Sequence, residues 1–223
     1  VIGTMGDEET RRSSLIGNGV LYDEVPLLNG TDIDFETLEK MVDDKTTMVL
    51  IQRSKGYSTR KSLTIETIEK ICKVVKFKNP NCICFVDNCY GEFVDSKEPT
   101  EVGADLMAGS LIKNPGGGIV EAGGYIAGKE LLVERAATRL TAPGIGSEGG
   151  AMFNQHRLMF QGFFMAPSVV ADAVKGAILA SKIFDEIGYD SSPKYNEKRT
   201  DIIQNITFGA PEPLEKFCRT IQS

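Results

Sequence analysis

The chain has 223 residues, of which 41% are hydrophobic and 25% charged, as expected for a soluble globular protein with one large domain or slightly more. A net charge of −6 argues against a nucleic-acid partner, which would require clustered lysine and arginine. No run approaches about 18 consecutive apolar residues, so the sequence predicts no membrane span. The segment VIGTMGDEET lacks the features of a signal peptide, and we therefore expect a cytoplasmic protein.

The first half of the chain predicts a βαβ unit. Apolar residues recur every three or four positions over 34–44 and 64–77, which indicates two helices. The β-rich runs 46–51 and 82–87 have the length of strands, and the first is followed by a polar loop, QRSKGYSTRKS. A strand, a helix and a second strand at this spacing make a βαβ unit.

The second half continues the α/β pattern. Two further strands are predicted over 104–112 and 123–128, and their lack of polar alternation indicates burial on both faces. A helix follows the second strand, and a long apolar helix is predicted over 166–188. The polar break at 191–199 resembles a boundary, and beyond it one strand and one helix begin another unit.

The cysteine pattern favours free thiols. Five cysteines at irregular spacing make a poor disulfide framework, and no second pair completes a zinc site beside Cys82 and Cys84. His156 is the only histidine and is interpreted as structural, so no metal site is expected. Buried free thiols in a reducing compartment are the preferred interpretation of this pattern.

An acid and a lysine follow two predicted strands. Asp87 ends the strand CICFVD, and Lys113 follows GSLI and is separated only by Asn114 from a proline and three glycines. Ligands of α/β sheets bind at the carboxyl ends of strands, so both residues are expected at one edge. On spacing alone, a simple ion pair between Asp87 and Lys113 is the preferred interpretation.

Longer motifs carry a specific resemblance. The words VDN and S-x-x-K resemble the cystathionine and methionine lyase branch of enzymes that use pyridoxal 5′-phosphate (PLP) on the aspartate-aminotransferase fold. Five motifs in the same order resemble the aluminium-resistance, or methionine γ-lyase-like, family: IQRSKGYS, VDNCYGEF, GSLIKNPGGG, LTAPGIG and FQGFFMAP. The resemblance implies a three-layer α/β/α sandwich with a mostly parallel sheet.

The resemblance also implies roles for individual residues. Lys113 would form a Schiff base with PLP and then act as a general base. Asp87 would hold a proton on the pyridine nitrogen, Tyr90 would donate to the ring oxygen, and Ser110 would bind the phosphate. Without the resemblance, Tyr90 could be a packed core tyrosine and Ser110 could cap a local turn.

Arg53 and Ser54 are weaker candidates. They lie on the polar loop after the first strand, and in related lyases this region is close to the cofactor. We expect one of them to contact an amino-acid substrate, whereas the alternative is a solvated basic loop.

The expected domains are part of a PLP-binding large domain over 1–165, a connecting helix over 166–190 and the start of a small domain over 191–223. The phosphate-binding loop, the ring-stacking aromatic and the substrate-carboxylate arginine of this fold cannot be matched in the chain. The fold implies a homodimer or homotetramer.

The expected reaction is elimination at the β- or γ-carbon of a sulfur-containing amino acid. A PLP-dependent aminotransferase or another side-chain exchange is the first alternative. A non-catalytic fragment or homologue that keeps the fold is the second.

Overall fold

The structure of the chain, a computed structural model, describes residues 12–150 and 152–223. The segment VIGTMGDEET, for which the sequence predicts no signal peptide, lies outside these residues. The described part opens with two short antiparallel strands, β1 (Leu27–Leu28) and β2 (Asp32–Ile33), followed by helix α1 (Phe35–Met41).

A central sheet contains four strands in the order β3 (Met48–Gln52), β4 (Ile83–Asp87), β5 (Leu106–Ser110) and β6 (Gly124–Gly128). Strands β3, β4 and β5 are parallel, and β6 runs antiparallel to β5. Helix α3 (Glu130–Leu140) follows β6. The predicted α/β fold with a mostly parallel sheet is therefore confirmed.

Helix α2 (Ile65–Lys78) connects β3 to β4 and covers one face of the sheet. Its residues Ile68 and Val75 are fully buried and belong to the same apolar cluster as Val86 of β4. Leu50 of β3 is 44% exposed, so the residues that the structure describes leave part of the sheet uncovered. The core therefore lies mainly between the sheet and α2.

The long helix α4 spans His156–Glu186 and begins earlier than the connecting helix predicted over 166–190. That predicted start was wrong, because Pro167 is typical of a first helical turn and the structure instead places it inside the helix. The added turns contain Gly162, whose missing side chain allows close packing: a Cβ there would lie 2.3 Å from the carbonyl oxygen of Gly116. Helix α4 therefore supports the turn that follows β5.

Helix α4 is also unusually apolar. Within the described residues, it alone is long and apolar enough to cross a membrane, although no unbroken apolar run of that length occurs. Length and composition are weak grounds for a membrane span, because core helices of other proteins pass the same test.

The C-terminal segment contains strands β7 (Asp190–Ser192) and β8 (Asn205–Thr207), which pair antiparallel, and helix α5 (Pro211–Gln222). In the predicted polar break over 191–199, Ser191 and Arg199 at the two ends are buried, whereas residues 195–198 between them are exposed. The buried polar groups are tolerated because they bond to other parts of the chain; the Ser191 hydroxyl, for example, lies 3.0 Å from a buried hydroxyl on α4. A separate domain beginning at residue 191 stays a prediction.

Candidate functional site

The carboxyl edge of the central sheet brings Asp87, Ser110 and Lys113 together. Asp87 is the last residue of β4 and pairs in register with Ala108, and Ser110 is the last residue of β5. Lys113 lies just beyond, in a turn where its backbone N–H donates to the carbonyl oxygen of Ser110 at 3.3 Å. The predicted placement of an acid and a lysine at neighbouring strand ends is therefore confirmed.

The charges of Asp87 and Lys113 are not neutralised by an ion pair. Neither side chain forms one within residues 12–150 and 152–223, so the simple ion-pair interpretation is wrong. The Lys113 Nζ lies 5.0 Å from the centre of the Tyr90 ring. One oxygen of Asp87 accepts a hydrogen bond from the backbone N–H of Cys89 at 3.1 Å. Both charged groups remain available to a bound molecule.

Tyr90 has an unusual backbone conformation. Its φ of 71° lies in the left-handed region, which is uncommon for residues other than glycine. Its carbonyl oxygen accepts hydrogen bonds from the backbone N–H of Ile202 at 3.2 Å and from Asn114 Nδ2 at 3.1 Å. The phenol itself has no hydrogen-bond partner in the described part of the chain, which agrees poorly with a satisfied core tyrosine.

Ser110 is half-buried between β4 and β6. Its hydroxyl forms no hydrogen bond with the residues that the structure describes, so the interpretation as a turn cap is wrong. The hydroxyl is therefore available to a ligand, and its role in binding phosphate stays a prediction.

A small cavity of about 50 Å³ lies beside Asp87 and is lined by Gln52, Ser54, Gly56, Asp87, Cys89 and Tyr90. Burial raises the pKa of the Cys89 thiol to about 11, and the neighbouring Asp87 carboxylate contributes to the rise. The thiol is consequently protonated at neutral pH, as expected for an inert buried cysteine.

Arg53 lies inside the protein, which rules out the solvated-loop interpretation. Its side chain is fully buried, and its guanidinium donates to Asn88 Oδ1 at 2.8 Å and lies 3.4 Å from Glu98 Oε2. A Cβ on Gly91 would lie 2.6 Å from the Arg53 side chain, so the loop after β4 rests directly on it. Arg53 therefore supports the loop after β4 from inside the protein. Its contact with substrate stays a prediction.

Ser54 and Lys55 connect this loop to the C-terminal segment. The Ser54 hydroxyl donates to Asp201 Oδ2 at 2.6 Å, and the Lys55 Nζ donates to the carbonyl oxygen of Ser192 at 2.8 Å. Burial lowers the pKa of Lys55. Ser54 lines the small cavity, so it is the better placed of the two predicted substrate contacts.

A buried polar network that the sequence analysis missed lies next to the candidate site. Glu92 is buried, and its Oε1 accepts a hydrogen bond from the Tyr125 hydroxyl at 2.8 Å. That hydroxyl in turn accepts from Asn88 Nδ2 at 3.2 Å. Burial raises the pKa of Glu92 to about 7. The sequence signal that could have pointed to this network is Asn88, a polar residue directly after Asp87.

Two of the three glycines that follow Lys113, Gly116 and Gly117, permit close packing and not open space beside a ligand, whereas a Cβ on Gly118 would approach only Val169, at 4.0 Å. A Cβ on Gly116 would lie 1.6 Å from the carbonyl oxygen of Leu111, and one on Gly117 would lie 2.3 Å from that of Gly162. Gly117 also has a φ of 57°, which favours glycine. Gly116 and Gly117 therefore let the turn that carries Lys113 dock against helix α4.

Comparisons with known proteins agree with this arrangement. A family model described as methionine gamma-lyase matches residues 1–223. A crystal structure from Clostridium novyi NT, described as a carbon-sulfur lyase involved in aluminum resistance, is 48% identical, with a TM-score of 0.92 over 100% of this chain and 52% of that chain. A candidate cystathionine beta-lyase involved in aluminum resistance from Listeria monocytogenes is 50% identical, with a TM-score of 0.92 over 95% and 52%.

Among curated proteins, YnbB of Bacillus subtilis (strain 168) is 45% identical over 222 residues, which is 100% of this chain and 52% of that protein. The chain thus spans about half the length of these relatives.

Proposed function

Because the chain belongs to the methionine gamma-lyase family, we propose that it supplies the lysine-bearing half of the active site of a PLP-dependent carbon–sulfur lyase. The observation that carries this proposal is the pair of uncommitted groups, Asp87 and Lys113, at the ends of neighbouring strands. The substrate would be a sulfur-containing amino acid, cleaved at its β- or γ-carbon.

The residues present fit PLP by the chemistry of their donors. Lys113 offers an amine beside the Tyr90 ring that is free to bond a carbonyl carbon, and Asp87 offers a carboxylate that lines the small cavity, as Tyr90 does. The free hydroxyls of Tyr90 and Ser110 add two hydrogen-bond donors. When bound, PLP supplies an electron sink for the carbanion that forms at the substrate α-carbon.

Each side chain then has a defined task. Asp87 would hold a proton on the cofactor's ring nitrogen, and Ser110 would donate to a phosphate oxygen. The Tyr90 phenol would donate to the ring oxygen. The Lys113 amine, once released, would accept the α-proton of the substrate as a general base, with the adjacent Tyr90 ring limiting its orientation.

The overall reaction would release a thiol from the β- or γ-carbon, followed by hydrolysis to ammonia and a keto acid. The names of the relatives from Clostridium and Listeria, a carbon-sulfur lyase and a candidate cystathionine beta-lyase, support this class of reaction. Aluminium resistance in those names describes a phenotype and gives no chemical step.

The proposed whole protein is larger than this chain. The uncovered sheet face around Leu50 would be covered by further polypeptide, completing a three-layer sandwich. Phe160 and Phe164 of α4 are 75% and 86% exposed, which supports burial against the rest of the protein or a second copy in a cytoplasmic homodimer or homotetramer.

An assay of the full-length protein with PLP and a panel of amino acids tests the proposal. Cystathionine and methionine are expected to yield both free thiol and keto acid, whereas alanine yields neither. Lys113→Ala should abolish both products, and Lys175→Ala, at an exposed lysine of α4, should leave them unchanged.

Two outcomes would contradict the lyase proposal. Keto acid formed without thiol, in the presence of an acceptor keto acid, would indicate an aminotransferase. Protein that stays colourless after PLP is added and forms neither product would indicate a non-catalytic homologue.

A further inference from the structure

Asn114 joins the two loops that carry the candidate site. Its side chain is buried, and its Nδ2 donates to the carbonyl oxygens of Tyr90 and Glu92, both at 3.1 Å. Both acceptors belong to the loop after Asp87, and Asn114 itself directly follows Lys113. A single amide group therefore bridges the segments that bear the acid and the lysine.

The bridge holds a conformation that is unfavourable by itself. Tyr90 has a φ of 71°, and a non-glycine residue keeps such a strained conformation only where the surroundings enforce it. The amide of Asn114 and the backbone N–H of Ile202 supply the two hydrogen bonds that its carbonyl accepts. Without the amide, the Tyr90 carbonyl would keep only the bond from the C-terminal segment.

The chemistry of the amide explains why asparagine occupies this position. Both contacts use its N–H groups, whereas Asn114 Oδ1 is buried without a hydrogen-bond partner among the described residues. An aspartate of the same size would place a carboxylate against two carbonyl oxygens, and an apolar side chain would leave those oxygens without their donor. The residue is therefore suited to donating, at the cost of one unsatisfied acceptor.

We propose that Asn114 is a positioning residue that fixes the Lys113 amine relative to Asp87 and the Tyr90 ring by tying the two loops together. The inference rests on the proposed function for its catalytic consequence, but the tie itself is a property of the chain. It acts through Tyr90 and Lys113 and does not itself touch substrate or cofactor.

Asn79 provides a matched control elsewhere in the fold. It is also buried, and its Nδ2 also bridges two backbone carbonyl oxygens, those of Asp43 at 3.0 Å and Thr46 at 3.1 Å. It lies just after α2, near the amino ends of β3 and β4 and away from Lys113. Asn79 Oδ1 also accepts a hydrogen bond from the backbone N–H of Asn81 at 3.0 Å, so Asn79→Ala removes one hydrogen bond more than Asn114→Ala. A larger effect of Asn114→Ala on the candidate site therefore reports on position and not on the number of hydrogen bonds lost.

The experiment compares Asn114→Ala and Asn79→Ala in the full-length protein with two readouts. In protein free of PLP, Asn114→Ala should increase hydrogen exchange of the backbone amides over 88–93, and Asn79→Ala should not. In protein loaded with PLP, Asn114→Ala should shift the pH midpoint of the absorbance of the lysine–cofactor linkage and lower kcat by about tenfold or more, with a smaller change in KM. Asn114→Ser keeps one hydrogen-bond donor, so its hydrogen exchange over 88–93 and its kcat should lie between those of wild type and Asn114→Ala. It replaces the alanine variant in the comparison if Asn114→Ala does not fold.

The outcomes separate the inference from the proposed function. Equal exchange over 88–93 in the two alanine variants would overturn the positioning role, whether or not PLP binds. An unchanged pH midpoint and kcat in Asn114→Ala would also overturn it. A wild-type protein that forms no covalent linkage with PLP would instead contradict the proposed function. The hydrogen-exchange result would still show whether Asn114 holds the two loops together.

Discussion

The two ends of the central sheet carry the same kinds of charged residue and use them differently. At the amino end, Asp105 forms ion pairs of 2.6 Å with both Lys76 and Lys129 and accepts a hydrogen bond from a backbone N–H. At the carboxyl end, Asp87 and Lys113 are left without ion pairs among the described residues. The first arrangement stabilises the fold, and the second keeps its charges available for chemistry.

Judged by cavity size alone, the amino end of the sheet would be chosen as the binding site. The amino end has the larger cleft, about 530 Å³, whereas the cavity beside Asp87 measures about 50 Å³. Burial alone raises the pKa of Asp105, but the hydrogen bonds from Lys129 and Lys76 outweigh it, so its net pKa lies below the usual range. The proposed site therefore lies at the end of the sheet with unpaired charges and not at the end with the larger cleft.

Replacing the two aspartates by asparagine tests this comparison most strongly. Asp87→Asn should lower PLP-dependent activity by about 10²–10³-fold, because an amide cannot stabilise a positive charge on the ring nitrogen. The free energy of unfolding of Asp87→Asn should differ little from that of wild type, because no ion pair is lost. Enzyme assays and urea denaturation of the full-length protein measure the two quantities.

Asp105→Asn should show the reverse pattern. Its free energy of unfolding should fall by about 2–3 kcal/mol, with most of the loss due to Lys76 because Lys129 is largely exposed. Affinity for PLP should not change. The comparison fails if Asp105→Asn impairs PLP binding as much as Asp87→Asn does.

Glu92→Gln extends the comparison to a buried acid that has no cation within ion-pair distance in the described part of the chain. The pKa of Glu92 is raised to about 7 in the folded protein, above its ordinary value near 4.5, so the folded state holds the proton more tightly. Stability from this group is therefore complete below about pH 4.5 and is lost as the pH rises through about 7. The full loss is about 3 kcal/mol.

Denaturation of wild type and Glu92→Gln at pH 5 and pH 8 measures this effect. The variant should gain stability relative to wild type between the two pH values, because glutamine does not ionise. A stability difference that is the same at both pH values would contradict a titrating Glu92.

The smallest expected effect concerns the packing of the Lys113 turn against helix α4. Gly162→Ala should lower the free energy of unfolding by about 1–3 kcal/mol, because its Cβ would meet the backbone of Gly116. Gly176→Ala in the same helix is the control, since a Cβ there meets nothing within 4 Å, and it should raise stability by roughly 0.5–1 kcal/mol. Destabilisation by both variants would point to the helix in general and not to this contact.

The sequence was sufficient to predict the four strands of the central sheet and the edge at which the proposed site lies. The predicted burial of the strand over 123–128 on both faces was wrong, since alternate residues of β6 are exposed. Uninterrupted apolar runs such as CICFVD specify buried parallel strands, and the chemistry of α/β sheets then places Asp87 and Lys113 at one edge. These features depend on local pattern and on a general rule of topology, which is why a single sequence suffices.

Contacts between distant parts of the chain could not be predicted in the same way. Arg53 reads as part of a solvated loop, yet it is buried because Asn88 and Glu98, distant in sequence, accept its hydrogen bonds. The start of α4 was misplaced for a related reason: Pro167 is tolerated inside the helix, and Gly162 packs against a turn formed much earlier in the chain. Such partners become visible only when the chain is folded.

Borohydride reduction of the full-length protein with PLP, followed by peptide mass spectrometry, tests the central claim most directly. The account predicts one PLP adduct on the peptide that contains Lys113 and no adduct there in Lys113→Ala. Lys55 is the alternative lysine to examine, because it is buried and has a lowered pKa. It also directly follows Ser54, which lines the cavity beside Asp87. An adduct on Lys55, or on no lysine, would contradict the assignment of Lys113.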